Sequence, residues 1–164
     1  MRGFDKYELL RGIHYLGYHS YETMNYSFEQ AKPFTLVTSN LREVKECVDE
    51  YKGRTYIWVV AADEDDYGES AYLLREVFKP QSYETARPGH YDGAKKKFKL
   101  AVDGRGEGYQ LGDGINLKQF DWFDQFFEHN CVCWPIRHPL LELSGLQEWS
   151  YPAPSQPTDE LSPL

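Results

Sequence analysis

The most informative stretch of the chain is Thr-Tyr-Ile-Trp-Val-Val-Ala-Ala at positions 55–62. Such an apolar, aromatic and β-branched run is typical of a central strand that is buried on both faces. Upstream, residues 34–38 form a short apolar strand candidate, and Asn40-Leu41-Arg42-Glu43 has the pattern of a capping box that opens a helix. Gly53 ends that helix as a C-terminal glycine does. These pieces predict a strand–helix–strand unit.

The flanking segments predict further helices. Asp5-Lys6-Tyr7-Glu8 is a second capping-box pattern, which predicts a short helix ending near Gly12. Residues 69–78 predict another helix, because the apolar residues within them fall at helical spacing. These apolar residues are Leu73, Leu74, Val77 and Phe78. Asn116-Leu117-Lys118-Gln119 opens a further predicted helix that runs to about His129.

Other segments predict strands, turns and loops. Residues 14–26 interleave tyrosines with His14 and His19 without a clean period and predict a strand followed by a loop. Residues 81–92 carry Pro88 and Gly89 and predict a loop. Residues 97–102 alternate charged and apolar side chains, as a half-exposed strand does. A glycine-rich turn at 103–106 predicts that residues 108–111 pair back onto them as a hairpin.

Together these elements predict one compact α+β domain over residues 1–150, with a mostly antiparallel sheet and three to four helices. The composition is 41% hydrophobic and 16% aromatic, which excludes a wholly disordered chain, a collagen-like fibre and a disulfide-stapled miniprotein. The prolines at 152, 154, 157 and 163 predict that residues 151–164 are a disordered tail.

The sequence also predicts a cytoplasmic protein. No window approaches the roughly 18 apolar residues of a membrane span. The first twelve residues lack the apolar stretch of a secretory signal. Three cysteines make an odd set, which favours reduced thiols over an oxidised framework. We therefore expect no contact with a membrane.

The net charge of −8 excludes a protein that binds nucleic acid over its whole surface, since such binding neutralises phosphates. The charge is uneven. Residues 87–105 carry six basic and two acidic residues, whereas residues 107–164 carry two basic and nine acidic residues. Direct nucleic-acid contact is therefore expected only at one basic cluster. This cluster consists of Lys95, Lys96, Lys97 and Lys99.

The acidic third contains an aromatic helix candidate at residues 120–128. Phe120, Phe123 and Phe127 share one helical face, while Trp122 and Phe126 form a second apolar row. Two rows indicate either a helix enclosed by the core or an apolar strip that receives a partner. For the second alternative, the partner-binding residues are Asp121, Trp122, Asp124, Phe126 and Glu128.

Two clusters are candidate metal sites. His129, Cys131, Cys133 and His138 offer zinc ligands, but a single residue between the cysteines is too short a spacing for an easy chelate. The acids at positions 63–66 could bind Mg²⁺ or Ca²⁺, yet they lack the alternating spacing of a calcium loop. We therefore predict no metal and no other cofactor.

Three fragments, Leu10-Arg11-Gly12, Val37-Thr38-Ser39 and Arg75-Glu76-Val77, resemble the arginine, serine–threonine and glutamate motifs of mono-ADP-ribosyltransferases. The resemblance implies that Arg11 and Ser39 place NAD and that Glu76 supports the transfer. The 65 residues from Arg11 to Glu76 are few for that fold, and Leu74 stands where an acidic or amide residue is usual. These three residues are therefore the catalytic candidates of an alternative hypothesis.

The favoured hypothesis is a small acidic cytosolic protein that acts by binding a macromolecule. An inhibitor or immunity-type protein that covers a basic surface of a nucleotide- or nucleic-acid-handling partner fits this composition. The first alternative is a small enzyme with a nucleotide or nucleic-acid substrate, whose phosphates would meet the lysines at 95–99. The second alternative is a structural subunit of an assembly.

Overall fold

Two β-sheets form the framework of the protein. The computed structural model describes residues 4, 8–9, 11–64, 67–91, 97–120 and 123–124, with the backbone alone at positions 63, 64 and 70. Its strands are β1 (Ile13–Ser20), β2 (Thr35–Thr38), β3 (Thr55–Glu64), β4 (Ser70–Phe78), β5 (Ser82–Thr85), β6 (Leu100–Asp103) and β7 (Gly108–Asn116). The first sheet has the order β1-β3-β4-β7, and the second sheet has the order β2-β6-β5.

The sheets are mostly antiparallel, as predicted. Only the β1–β3 pair is parallel among the described strands. The helices are α1 (Tyr21–Met24) and α2 (Leu41–Lys45), which continues as a π-helical turn over Glu46–Glu50. Short 3-10 turns occupy Phe28–Gln30 and Leu117–Gln119. The expectation of three to four helices is therefore not met: two α-helices can be delimited within the described residues.

β3 is buried on both faces, which confirms the prediction from residues 55–62. On one face Trp58 and Val60 belong to a core that also contains Leu74 of β4. On the other face Ile57 and Val59 belong to a second core between the two sheets. Trp58 has no exposed surface. The first sheet therefore separates two apolar cores.

β4 corrects the prediction of a helix over residues 69–78. A bulge at Arg75 interrupts the pairing of β4 with both neighbours, since Leu74 pairs with Val60 while Glu76 pairs with Val59. The extra residue shifts the alternation of side chains by one position. Leu74 and Val77, three residues apart, consequently reach the same core. A separation of three residues between buried apolar side chains is also typical of a helix, which explains the incorrect prediction.

The predicted hairpin between residues 97–102 and 108–111 is wrong. The turn at 103–106 exists, but β6 pairs with β2 and β5 while β7 pairs with β4. The chain thus crosses from one sheet to the other at this turn. Glycine permits the crossing, because a Cβ at Gly108 would lie 2.3 Å from the Phe34 ring and one at Gly104 would lie 2.7 Å from the Phe78 ring. The predicted loop at 81–92 also contains a strand, β5.

The second sheet packs on the first through its even-numbered β2 and β6 residues. Leu36 and Val102 are buried in the core between the sheets, together with Val44 of α2. Leu36 lies so close to β1 that a Cβ at Gly17 would be 2.6 Å from its Cδ2. Side chains alternate along a strand. The odd-numbered residues of β2 and β6 therefore lie on the outer face of the second sheet.

Candidate ligand-binding site

A cavity of about 630 Å³ lies over the outer face of the second sheet. This volume falls in the range of roughly 300–1,000 Å³ that small-molecule sites occupy. Its floor comes from β2, β5 and β6, and its two walls come from residues 26–32 and 89–91. The lining residues are Tyr26, Gln30, Ala31, Lys32, Thr35, Leu36, Val37, Glu84, Gly89, His90, Tyr91, Ala101, Val102 and Asp103.

Strand register sets the floor. Val37 and Glu84 both pair with Ala101, and Thr35 pairs with Asp103 one row further along. Lys32 Nζ donates to Asp103 Oδ2 at 3.1 Å. Partial burial raises the pKa of Asp103, but hydrogen bonds from the Arg105 backbone and from Lys32 outweigh it and hold the pKa below its ordinary value. Asp103 is therefore an anion whose charge Lys32 balances.

Tyr26 joins the two walls. Its hydroxyl donates to the His90 carbonyl at 2.8 Å, and its own carbonyl accepts from His19 Nε2 at 2.9 Å. The His19 ring also contacts the Tyr26 ring, with centroids 5.2 Å apart. His19 is buried, so it fixes Tyr26 from the protein side. The phenol ring is thus held at both ends.

The opposite wall presents an imidazole and a second phenol. The Arg87 backbone N–H donates to His90 Nδ1 at 3.0 Å. A nitrogen that accepts cannot carry the proton of the neutral ring, so this bond assigns the proton to Nε2. Tyr91 is half-buried and meets Phe98 edge to face, with centroids 5.2 Å apart. The cavity is therefore lined by two aromatic rings and an imidazole whose Nε2 is a donor.

Several cations of the basic segment lie beside this cavity. The Arg87 guanidinium pairs with the Glu84 carboxylate of the floor, which balances its positive charge. Lys97, Lys99 and Arg105 are exposed at either end of β6, the central strand of the floor. Lys95 and Lys96 lie outside the described residues. Two phenol rings, an N–H donor, carboxylates and one lysine line the cavity, and further cations lie beside it. This combination suits a flat polar ring that carries an anionic group.

The three catalytic candidates do not form one hydrogen-bonded group. Arg11 is exposed in the turn before β1, and Ser39 is exposed after β2, where its Oγ donates to the Lys97 carbonyl at 3.5 Å. Glu76 is buried in β4, where its carboxylate accepts from the Phe34 backbone N–H at 3.0 Å and from Gln110 Nε2 at 3.3 Å. Ser39 therefore lies beside the backbone of Lys97, whereas Glu76 lies in the core.

Burial dominates the chemistry of Glu76. The side chain is 1% exposed, and this desolvation raises its pKa to about 7, although the hydrogen bonds from Gln110 and Phe34 act in the opposite direction. The neighbouring Arg75 guanidinium bonds to Glu29 and lies over the Phe28 ring rather than binding Glu76. The burial of Glu76 in a strand was not expected, because residues 69–78 were predicted to form a helix.

The predicted partner-binding helix is described at two positions after Phe120. Phe123 is buried in the first core and contacts the Tyr72 ring, whereas Asp124 is exposed. The remaining candidates of that surface and the zinc candidates lie outside the described residues. These are Asp121, Trp122, Phe126, Glu128, His129, Cys131, Cys133 and His138. Within the described part of the chain no three His, Cys, Asp or Glu side chains converge on a possible metal position.

Sequence reasoning missed Tyr26, His90 and Tyr91. The available signal was the tyrosine- and histidine-rich run at 14–26, which no helical or strand period explained. Comparison of the chain with protein-family models, with curated proteins and with solved structures finds no match in any of the three. No helix of the described residues is both long and apolar enough to span a bilayer.

Proposed function

We propose that this protein is a binding module whose cavity takes a nucleotide. The observation that supports this proposal is that Tyr26 and Tyr91 line one cavity and that the basic segment lies beside it. Aromatic side chains bind bases by stacking, which contributes about 1–3 kcal/mol per base. Lysine and arginine attract the phosphate. The proposal keeps the nucleotide class of ligand that the sequence suggested and assigns binding rather than catalysis.

The overall charge of −8 does not oppose such a site. At about 0.15 M salt the field of an exposed charge extends only about 8 Å. A phosphate at the cavity therefore meets Lys32 of the lining and the adjacent Arg87 rather than the acidic third of the chain. The proposed ligand is thus selected by the local charge of the cavity rim.

Calorimetric titration with the four common nucleoside 5′-monophosphates tests this function. We expect at least one to bind, and we expect Tyr91→Ala to weaken its binding about tenfold, because a lost stacking partner is worth roughly 1–3 kcal/mol. Tyr67→Ala is the matched control, since Tyr67 is 91% exposed and does not line the cavity. The absence of millimolar binding, or equal effects of both variants, would refute the proposal.

A second candidate function retains the acidic helix. Phe123 enters the core while its neighbour Asp124 is exposed, so an acidic side chain at the start of this segment faces solvent. In this role the protein would be a cytoplasmic inhibitor or immunity-type protein that covers a basic partner surface. Among the described residues Glu76 bonds to neither Arg11 nor Ser39, so the three catalytic candidates gain no support as one shared site.

Retention on immobilised polylysine tests the second candidate. Asp121→Lys with Asp124→Lys should elute at lower salt than wild type, because reversed charges oppose association. Glu107→Lys with Asp113→Lys makes the same change in net charge at two exposed positions outside this segment. Elution of both double variants at the same salt concentration would remove the helix as the binding surface.

A further inference from the structure

The ion pairs of the cations in and around the cavity bear on whether its ligand is a free nucleotide or part of a strand. We infer that the cavity holds one nucleotide unit of a single-stranded nucleic acid, whose backbone continues past Lys99 and Lys97. This inference rests on the proposed nucleotide-binding function. The ligand is a polymer, in which every additional unit brings another phosphate.

The path starts at the cavity floor. Leu100 and Val102 face the core between the sheets, so Ala101 and Asp103 share the outer face of β6, and Lys99 immediately precedes the strand. The Ala86 N–H donates to the Lys99 carbonyl at 2.9 Å, which extends the β5–β6 ladder beyond its last paired residues. At about 3.3 Å per residue, Lys99 lies about 7 Å along the strand from Ala101. Lys99 is therefore adjacent to the floor but outside the cavity lining.

Lys97 continues the path in the same direction. Its carbonyl accepts from Ser39 Oγ at 3.5 Å, so its backbone lies beside the end of β2. Both lysines are exposed. At the other end of the floor Arg105 is exposed, and its Nε donates to Ser82 Oγ at 3.2 Å. Cations therefore flank the cavity at both ends of β6.

Lys32, which lines the cavity, and Arg87, which lies beside it, differ from Lys97 and Lys99 in their ion pairs. Lys32 pairs with Asp103, and Arg87 pairs with Glu84. No carboxylate of the described residues lies within ion-pair distance of Lys97 or Lys99. Among the described residues, the unbalanced positive charge therefore lies just outside the cavity. A mononucleotide bound between the two tyrosines has no second phosphate that could reach this charge. A strand that continues from the cavity places its next phosphates there.

Fluorescence anisotropy with labelled 12-nucleotide single strands of DNA and of RNA tests this inference, alongside competition by nucleoside mono- and triphosphates. We expect one or both strands to bind about tenfold or more tightly than the monophosphate. Lys97→Glu with Lys99→Glu should weaken strand binding about tenfold and leave monophosphate binding unchanged. Two phosphate contacts predict a slope of about −1.4 for log K against log salt, which this variant should lose.

Lys45→Glu with Lys52→Glu is the matched control, because both lysines are exposed and neither lines the cavity. Tyr91→Ala should weaken binding of both the strand and the monophosphate. A strand that binds no more tightly than a mono- or triphosphate would overturn the polymer and leave the nucleotide function intact. Strand binding that ignores Tyr91→Ala would place the strand outside the cavity and overturn the inference. Binding of neither probe would overturn both proposals.

Discussion

The buried carboxyl of Glu76 should make the protein less stable as the pH rises through neutrality. Its two hydrogen-bond donors, the Phe34 N–H and Gln110 Nε2, are uncharged. Desolvation raises its pKa from 4.5 to about 7. Glu76→Gln has nearly the same shape, keeps an oxygen for the Phe34 N–H, and offers an amide N–H₂ to Gln110 once that side chain turns over. The variant therefore removes the ionisation and retains the hydrogen bonds.

The sign and size follow from the two pKa values. Between pH 4.5 and 7 the folded protein binds more protons at this group than the unfolded chain does, so the free energy of unfolding falls as pH rises. The stabilisation is complete below pH 4.5 and is lost once the pH passes about 7. One unit of difference between the folded and unfolded pKa values is worth about 1.36 kcal/mol, so the total loss of stability is about 3 kcal/mol.

Urea denaturation of wild type and Glu76→Gln at pH 5, 6, 7 and 8 measures this effect. We expect the two proteins to be similar at pH 5 and the variant to be more stable by about 3 kcal/mol at pH 8. Comparison at each pH cancels every other titrating group. Glu107→Gln, in an exposed turn, controls for the loss of one negative charge. Parallel stability curves for wild type and Glu76→Gln would refute the reasoning.

Three further predictions concern packing and the chain end. Trp58→Phe should destabilise the fold by about 1–3 kcal/mol in urea, because the Trp58 indole donates to buried His14 Nδ1 at 2.9 Å; a loss below about 0.5 kcal/mol would contradict this. Gly17→Ala should lose about 1–3 kcal/mol through its clash with Leu36, and less in a Leu36→Ala background; strictly additive losses would show that the two sites do not touch. Deletion of residues 151–164 should leave the Tm unchanged, since a segment with four prolines and few apolar residues buries little surface; a fall above about 5 °C would contradict it.

The sequence predicted the segments whose patterns are local. β3 was recognisable because every residue from 55 to 62 suits a doubly buried strand. α2 was recognisable because the Asn40 side chain caps it, accepting from the Glu43 N–H at 3.2 Å. β4 was missed because the bulge at Arg75 changes the side-chain period, and a bulge leaves no distinct signature in composition.

The candidate site was largely out of reach of the sequence. The charge count located its basic side, since residues 97–105 and Arg87 border the cavity. Its aromatic side depends on Tyr26 reaching the His90 carbonyl across 64 positions of the chain, which no periodicity encodes. The acidic helix, which the sequence predicts as a partner surface, lies mostly beyond the described residues and stays a prediction.

The β2–β6–β5 sheet also has a kinetic consequence. Leu36 pairs with Val102, 66 positions later in the chain, so the floor of the cavity cannot form until distant segments meet. Pairing at such separation costs loop-closure entropy before any stabilising contact forms, and this cost slows folding. A ligand that contacts only the completed floor stabilises contacts that form late. Such a ligand should slow unfolding far more than it accelerates folding, and so prolong the lifetime of the loaded state.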